Sequence, residues 1–167
     1  MMMFMTSAGL TQSRGYVDLD QLSGFSEDDV VVDVKLGGWI LGLAREAARE
    51  SGDADAEILQ RVESVRVKIL SDTHNRDQFA ASGERLTQDL LSRGWEEVAT
   101  IREDNDRVYV MVLGSEEAID GITILLWGDS NEAVLVNVAG RFTARDVAAL
   151  LENEDFLHGD LNVDFDI

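Results

Sequence analysis

The sequence predicts an α+β domain built on a mainly antiparallel sheet of about six strands, with helices packed on one face. Segments that alternate apolar and polar residues are interleaved with segments of helical periodicity, in the order β-α-α-β-α-β-β-β-β-α. The last four strands follow one another through Asp104-Asn105-Asp106, Gly114-Ser115-Glu116-Glu117 and an Asp/Asn turn near 128–131. Links this short make hairpins, and hairpins make antiparallel pairs. Apolar residues make up 45% of the 167, enough for one packed core.

Each element has its own local cause. Val30, Val32, Val34 and Leu36 fall on one side of a strand, with Asp33 and Lys35 on the other. Gly37-Gly38 breaks the strand. Over 39–50, Trp39, Ile40, Leu43, Ala44 and Ala47 recur at helical spacing, with Arg45, Glu46, Arg49 and Glu50 outside. A short helix follows at 54–62, with Asp53 or Asp55 as its cap. Residues 63–70 alternate again, Val65, Val67 and Ile69 against Arg66 and Lys68. The helix at 75–93 carries Phe79, Leu86 and Leu90 on one stripe. Gly94 is placed to close it, and Trp95 to cover its end. Strands are expected at 96–103, 107–113, 119–127 and 132–140. A last helix starts at Thr143, with Thr143 and Asp146 as its capping pair and Val147, Leu150 and Leu151 on its buried face.

Residues 1–14 read as the remnant of an export signal or as a disordered start, because an apolar run of Met and Phe precedes Ser7-Ala8-Gly9 without a basic leader. Residues 15–153 form the single domain. Residues 154–167 are an acidic tail whose period-2 pattern, Leu161-Asn162-Val163-Asp164-Phe165-Asp166-Ile167, fits either a frayed end or an added edge strand.

Composition narrows the function. The 14 Lys and Arg against 33 Asp and Glu give a net charge of −19. Such a surface repels phosphate backbones and anionic membranes, and favours basic partners and cations. No run reaches the roughly 18 apolar residues of a membrane span. Without cysteine there is no disulfide, thiol nucleophile or thiolate metal site. His74 and His158 stand apart from any metal-spaced pair, and neither a phosphate loop nor a Gly-x-Ser-x-Gly turn occurs. Asp53-Ala54-Asp55-Ala56-Glu57 begins like a calcium loop, but Ile58 replaces its glycine. Asp160, Asp164 and Asp166 could gather a weak divalent ion. No catalytic residue, cofactor or defined metal site is assigned.

The residues most suggestive of function are in the last strands. One side carries Val108, Val110, Val112, Ile122, Ile124, Leu126, Val134, Val136 and Val138, expected to be the core beneath the helices. The other side is also apolar: Tyr109, Met111, Leu113, Leu125, Trp127 and Leu135. Either another part of the chain covers this second face, such as Tyr16-Val17-Asp18-Leu19 or the tail, or it is a protein interface for a partner or a second copy, or it lines a small-ligand pocket. On the interface reading, Trp127→Asp weakens association without unfolding the core. The alternative class is a small-ligand or cation-binding protein.

Several segments together resemble an uncharacterised bacterial family, domain of unknown function 4252. They are Gly15-Tyr16-Val17-Asp18, Val32-Asp33-Val34-Lys35-Leu36-Gly37-Gly38, Val62-Glu63-Ser64-Val65-Arg66-Val67, Leu91-Ser92-Arg93-Gly94-Trp95-Glu96-Glu97-Val98 and Ala133-Val134-Leu135-Val136-Asn137-Val138-Ala139-Gly140. The resemblance implies a small bacterial protein with an N-terminal export or lipid-anchor signal, some members being encoded beside sigma and anti-sigma factors. It brings no activity and no catalytic residue. Lacking a cysteine to carry a lipid, this chain is expected in the periplasm or secreted, with a cytoplasmic location as the alternative.

Overall fold

A computed structural model describes residues 13–52, 56–71, 73, 75–104, 106–128 and 132–146. It contains β1 (Val30–Gly37), α1 (Gly38–Ser51), α2 (Ala56–Arg61), β2 (Val62–Leu70), α3 (Arg76–Ser92), β3 (Glu96–Glu103), β4 (Asp106–Gly114), β5 (Ile119–Trp127) and β6 (Ala133–Phe142). The strands form one six-stranded sheet in the order β1-β2-β6-β5-β4-β3, every pair antiparallel. The predicted class is correct, and so is the succession of these elements. The order follows from a single crossover. After β2 the chain passes through α3 to the far edge, then returns by three hairpins until β6 lies beside β2. Asp53, Asp55, His74, Val147, Leu150, Leu151 and the tail from 154 lie outside the described residues.

Helix α3 is specified at both ends. The Gln78 amide donates to Asn75 Oδ1 at 3.0 Å, closing the first turn. Gly94 takes a φ of 88°, a left-handed conformation that glycine reaches without strain. The Trp95 amide then donates to the Leu90 carbonyl at 3.0 Å, and the Trp95 ring is buried.

The side of the sheet that α3 covers differs from the expected one. Phe79, Leu86 and Leu90 pack in a single cluster with Tyr109, Met111, Leu113, Leu125, Trp127 and Leu135. Phe79 meets Trp127 edge-on, with ring centroids 5.9 Å apart at 88°. Gly83 makes this approach fit, since a Cβ there would lie 2.8 Å from the Trp127 ring.

The rest of this face is closed by residues 15–25, which cross it as a strap. Val17, Leu19 and Leu22 join the same cluster. Asn137, fully buried on β6, anchors the strap: its Oδ1 accepts from the Val17 amide at 3.0 Å, and its Nδ2 donates to the Gly15 carbonyl at 2.9 Å and to Thr123 Oγ1 at 3.0 Å. Gly15 lies so close to β5 that a Cβ would come within 1.9 Å of the Asp120 carbonyl oxygen. Of the three readings of this face, a covering segment, an interface and a ligand pocket, burial decides for the covering segment, residues 15–25.

Candidate interaction surfaces

The six residues proposed as an interface are interior. Met111, Leu125 and Leu135 are 0% exposed, and Tyr109, Leu113 and Trp127 are buried with them. Their side of the sheet carries the largest side chains, and those need the deepest cover. The strap and α3 supply it, so these residues are not available to a partner in this fold.

The opposite side is the one left open among the described residues. Strand register lines up three apolar ladders across five strands. The first is Leu36, Val65, Val138, Ile122 and Val112. The second is Val34, Val67, Val136, Ile124 and Val110. The third is Val32, Ile69, Val134, Leu126 and Val108. All of these side chains are only partly buried. The helices were expected to cover this valine face. Instead only its first ladder has company, from Leu41 of α1 together with Val62, Ile119 and Phe142.

Helix α1 is rotated from the predicted orientation. Leu41 is its buried residue, whereas Trp39, Leu43 and Ile40 are 75%, 62% and 39% exposed. Arg45 holds this orientation together with buried Leu41. Its Nε donates to the Leu59 carbonyl at 3.1 Å and its Nη2 to the Val62 carbonyl, so the guanidinium joins α1 to the end of α2 and the start of β2. The apolar stripe read as core therefore faces outward.

A charged clasp holds the strap over β2. Lys68, Arg66 and Lys35 all donate to the Asp20 carboxylate, the last two at 3.1 and 3.2 Å. Arg66 also donates to the Tyr16 hydroxyl at 2.6 Å, and the Lys68 ammonium sits 5.5 Å from the centre of the Phe25 ring. The hydrogen bond from Lys68, supported by Lys35 and Arg66, outweighs partial burial and holds the Asp20 carboxyl far below its ordinary range. A depressed folded-state pKa stabilises the fold above the unfolded carboxylate's value of about 3.9 and loses that stabilisation as pH falls further. Asp20→Asn is expected to lower the melting temperature at pH 7, because it removes the carboxylate shared by the nearly buried Lys68 and Arg66 and leaves Lys68 only the more distant Asp33, at 3.9 Å. It is also expected to shrink the loss of stability between about pH 4 and pH 2. Thermal melts across that range check both.

The other chemical features remain modest. The Arg107 guanidinium donates to the Asp104 carbonyl at 3.3 Å, and Asp104 takes a φ of 47°, in keeping with turn chemistry. A shallow cleft of about 500 Å³ between α3 and the β3–β4 hairpin is lined by Glu84, Arg85, Gln88, Glu97, Arg102 and Tyr109. Among the described residues no three metal-ligating side chains come together. Nor is any helix among them long and apolar enough to cross a membrane. The divalent-ion candidates Asp160, Asp164 and Asp166 lie outside the described residues.

No curated protein and no solved structure matches the chain. Residues 25–150, well over half of the sequence and the whole sheet, match the family described as Domain of unknown function (DUF4252), and the chain belongs to that family.

Proposed function

We propose that the protein is a non-enzymatic interaction module of the bacterial cell envelope, and that it self-associates by packing α1 of one copy against α1 of another. The observation that carries the reading is the exposure of Trp39 at 75% and Leu43 at 62%, one turn apart on a helix whose buried side faces the other way. Tryptophan is the residue most enriched at the centre of interfaces. Local charge favours a second copy as the occupant. The chain carries −19 overall, but α1 carries two arginines and two glutamates, Arg45, Arg49, Glu46 and Glu50. Two like-charged chains approach with least repulsion where the local charge cancels. The export-like start and the family likeness support the envelope.

The contact is small. Each copy brings roughly 400 Å² of apolar surface, so the association is weak and transient. Sedimentation velocity over a concentration series tests it. The weight-average mass of the wild type rises with concentration, and rises further as salt screens the −19 charge. Trp39→Asp and Leu43→Asp each weaken the association by about 30-fold or more, while the melting temperature stays put. A chain that stays monomeric at every concentration in high salt, or a Trp39→Asp variant that associates like the wild type, overturns the reading.

A further inference from the structure

The sheet ends at β3 on an open edge. The inner side of β3 pairs with β4 from Glu96 to Glu103, and among the described residues no strand pairs with its outer side. The register shifts once, between Glu97 and Ala99, and such a bulge twists the start of a strand. Ala99, Thr100, Ile101, Arg102 and Glu103 then pair without interruption. In an antiparallel strand every second residue turns its N–H and C=O away from the partner strand. This stretch therefore offers a row of backbone donors and acceptors to whatever lies outside.

Three more features gather at the same edge. The first is apolar: Val98 and Ile101 on β3 are 57% and 54% exposed, and Leu91 near the end of α3 is 39% exposed. The second is space. The cleft of about 500 Å³ lies along β3, with the nearly buried Thr87 and Tyr109 at its floor, Glu84 and Arg85 on the α3 wall, and Glu97 and Arg102 on the β3 wall. The Arg102 guanidinium lies 5.7 Å from the centre of the Tyr109 ring, and Glu97 and Glu84 both attract it. The third is charge. Strand β3 carries Glu96, Glu97 and Glu103 against Arg102, and Asp104 follows it, in a chain of −19. The opposite edge strand, β1, has one Asp33 and one Lys35 and is balanced.

We propose that β3 accepts an extended, basic segment of another polypeptide as a seventh strand of the sheet. Backbone pairing supplies affinity in such strand addition, and side chains on alternate positions supply specificity. Here the two faces of the added strand meet different surroundings. One lies over the cleft beneath α3, and the other lies beside Ile101. A second copy pairing through β3 would bring two acidic edges together, and like charges opposite each other weaken a strand pair. The glutamates thus deter self-pairing while they favour lysine and arginine. This inference stands apart from the α1 contact, which lies next to β1 at the other edge of the sheet.

Amide exchange and chemical shifts of the full-length chain test it, with a short capped peptide alternating lysine with valine or threonine as the probe. The expected result is shifted Ala99–Glu103 amides and slower exchange at every second amide of that stretch, with β1 amides unchanged. Glu97→Lys and Glu103→Lys together should weaken binding about tenfold or more, with the melt still cooperative, because both side chains are exposed. The same peptide methylated on every backbone nitrogen keeps its charge, loses its donors and should lose most of its affinity. No shift along β3 at about millimolar peptide overturns the proposal. So does equal binding of the methylated peptide, which would reduce the effect to charge alone, or protection of β1 in place of β3. Outward β3 amides that already exchange slowly in the free chain overturn it too, because the edge is then covered. Trp39→Asp should bind the peptide like the wild type, so failure of the α1 reading leaves this result untouched.

Discussion

Asn137→Leu is expected to remove about 3–5 kcal/mol of folding stability, a large share of what a domain of this size has. Leucine has the same branched heavy-atom skeleton as asparagine and suits an apolar interior, so the larger part of the cost is one of hydrogen bonding, with a smaller part from its bulkier methyl groups. The wild-type amide accepts from the Val17 N–H and donates to the Gly15 carbonyl and Thr123 Oγ1, with a longer bond at 3.3 Å to the Ile122 carbonyl. Removing it leaves the strap's backbone groups facing an apolar surface, at about 1–3 kcal/mol for each group that stays buried. The chain can limit that cost by letting residues 15–22 leave the sheet. Two measurements separate the effects. Denaturant melts give the total loss, and amide exchange at Val17 reports whether the strap has come away, since only detachment gives that amide water. Thr123→Val removes one bond of the set and is expected to cost about 1 kcal/mol with the Val17 amide still protected. A Val17 amide as protected in Asn137→Leu as in the wild type would show that Asn137 does not hold the strap.

This anchor also marks where the sequence was legible and where it was not. Alternation located β4, β5 and β6 and their hairpins, because period 2 is a property of the strand itself. It could not say which side of the sheet α3 covers, because both sides are apolar in these strands. The discriminating signal was polar. Thr123 and Asn137 lie opposite each other in the register, amid the Tyr109, Leu125 and Leu135 side. A buried amide needs partners, and the apolar stripe of α3, Phe79, Leu86 and Leu90, offers none. A passing backbone can, so Asn137 in a greasy face points to a crossing segment. Lys68 and Arg66 looked like the wet side of β2. They are nearly buried because Asp20, far away in sequence, brings a carboxylate to them. For α1 there was no local signal. Apolar residues at 39, 40, 41, 43, 44 and 47 surround most of the helix, and its rotation goes with two tertiary contacts, Leu41 against Val62, Ile119 and Phe142 and Arg45 on the carbonyls of Leu59 and Val62.

The same substitution at two tryptophans gives the sharpest contrast. Trp127→Asp is expected to abolish cooperative folding, reversing the sequence-based expectation that it would disturb association alone. Trp127 is 4% exposed, edge-on to Phe79 and tilted against Tyr109 at 5.4 Å, and α3 approaches its ring at Gly83. Deleting a buried aromatic of this size costs about 3–5 kcal/mol before anything replaces it. The incoming carboxylate would be buried among apolar side chains, a further cost of several kcal/mol unless the site opens to water. The sum matches or exceeds the stability of a typical domain. Trp127→Phe keeps an aromatic ring in the site and should retain a cooperative melt at reduced stability. Trp39→Asp changes a ring that is 75% exposed, and should leave the melt within about 0.5 kcal/mol of the wild type. Circular dichroism melts of the three variants decide the matter. If Trp127→Asp melted as cooperatively as Trp39→Asp, the Tyr109 and Trp127 side of the sheet would have to be open in solution. The valine face would then be the one under cover, and the assignment of inside and outside would have to be exchanged.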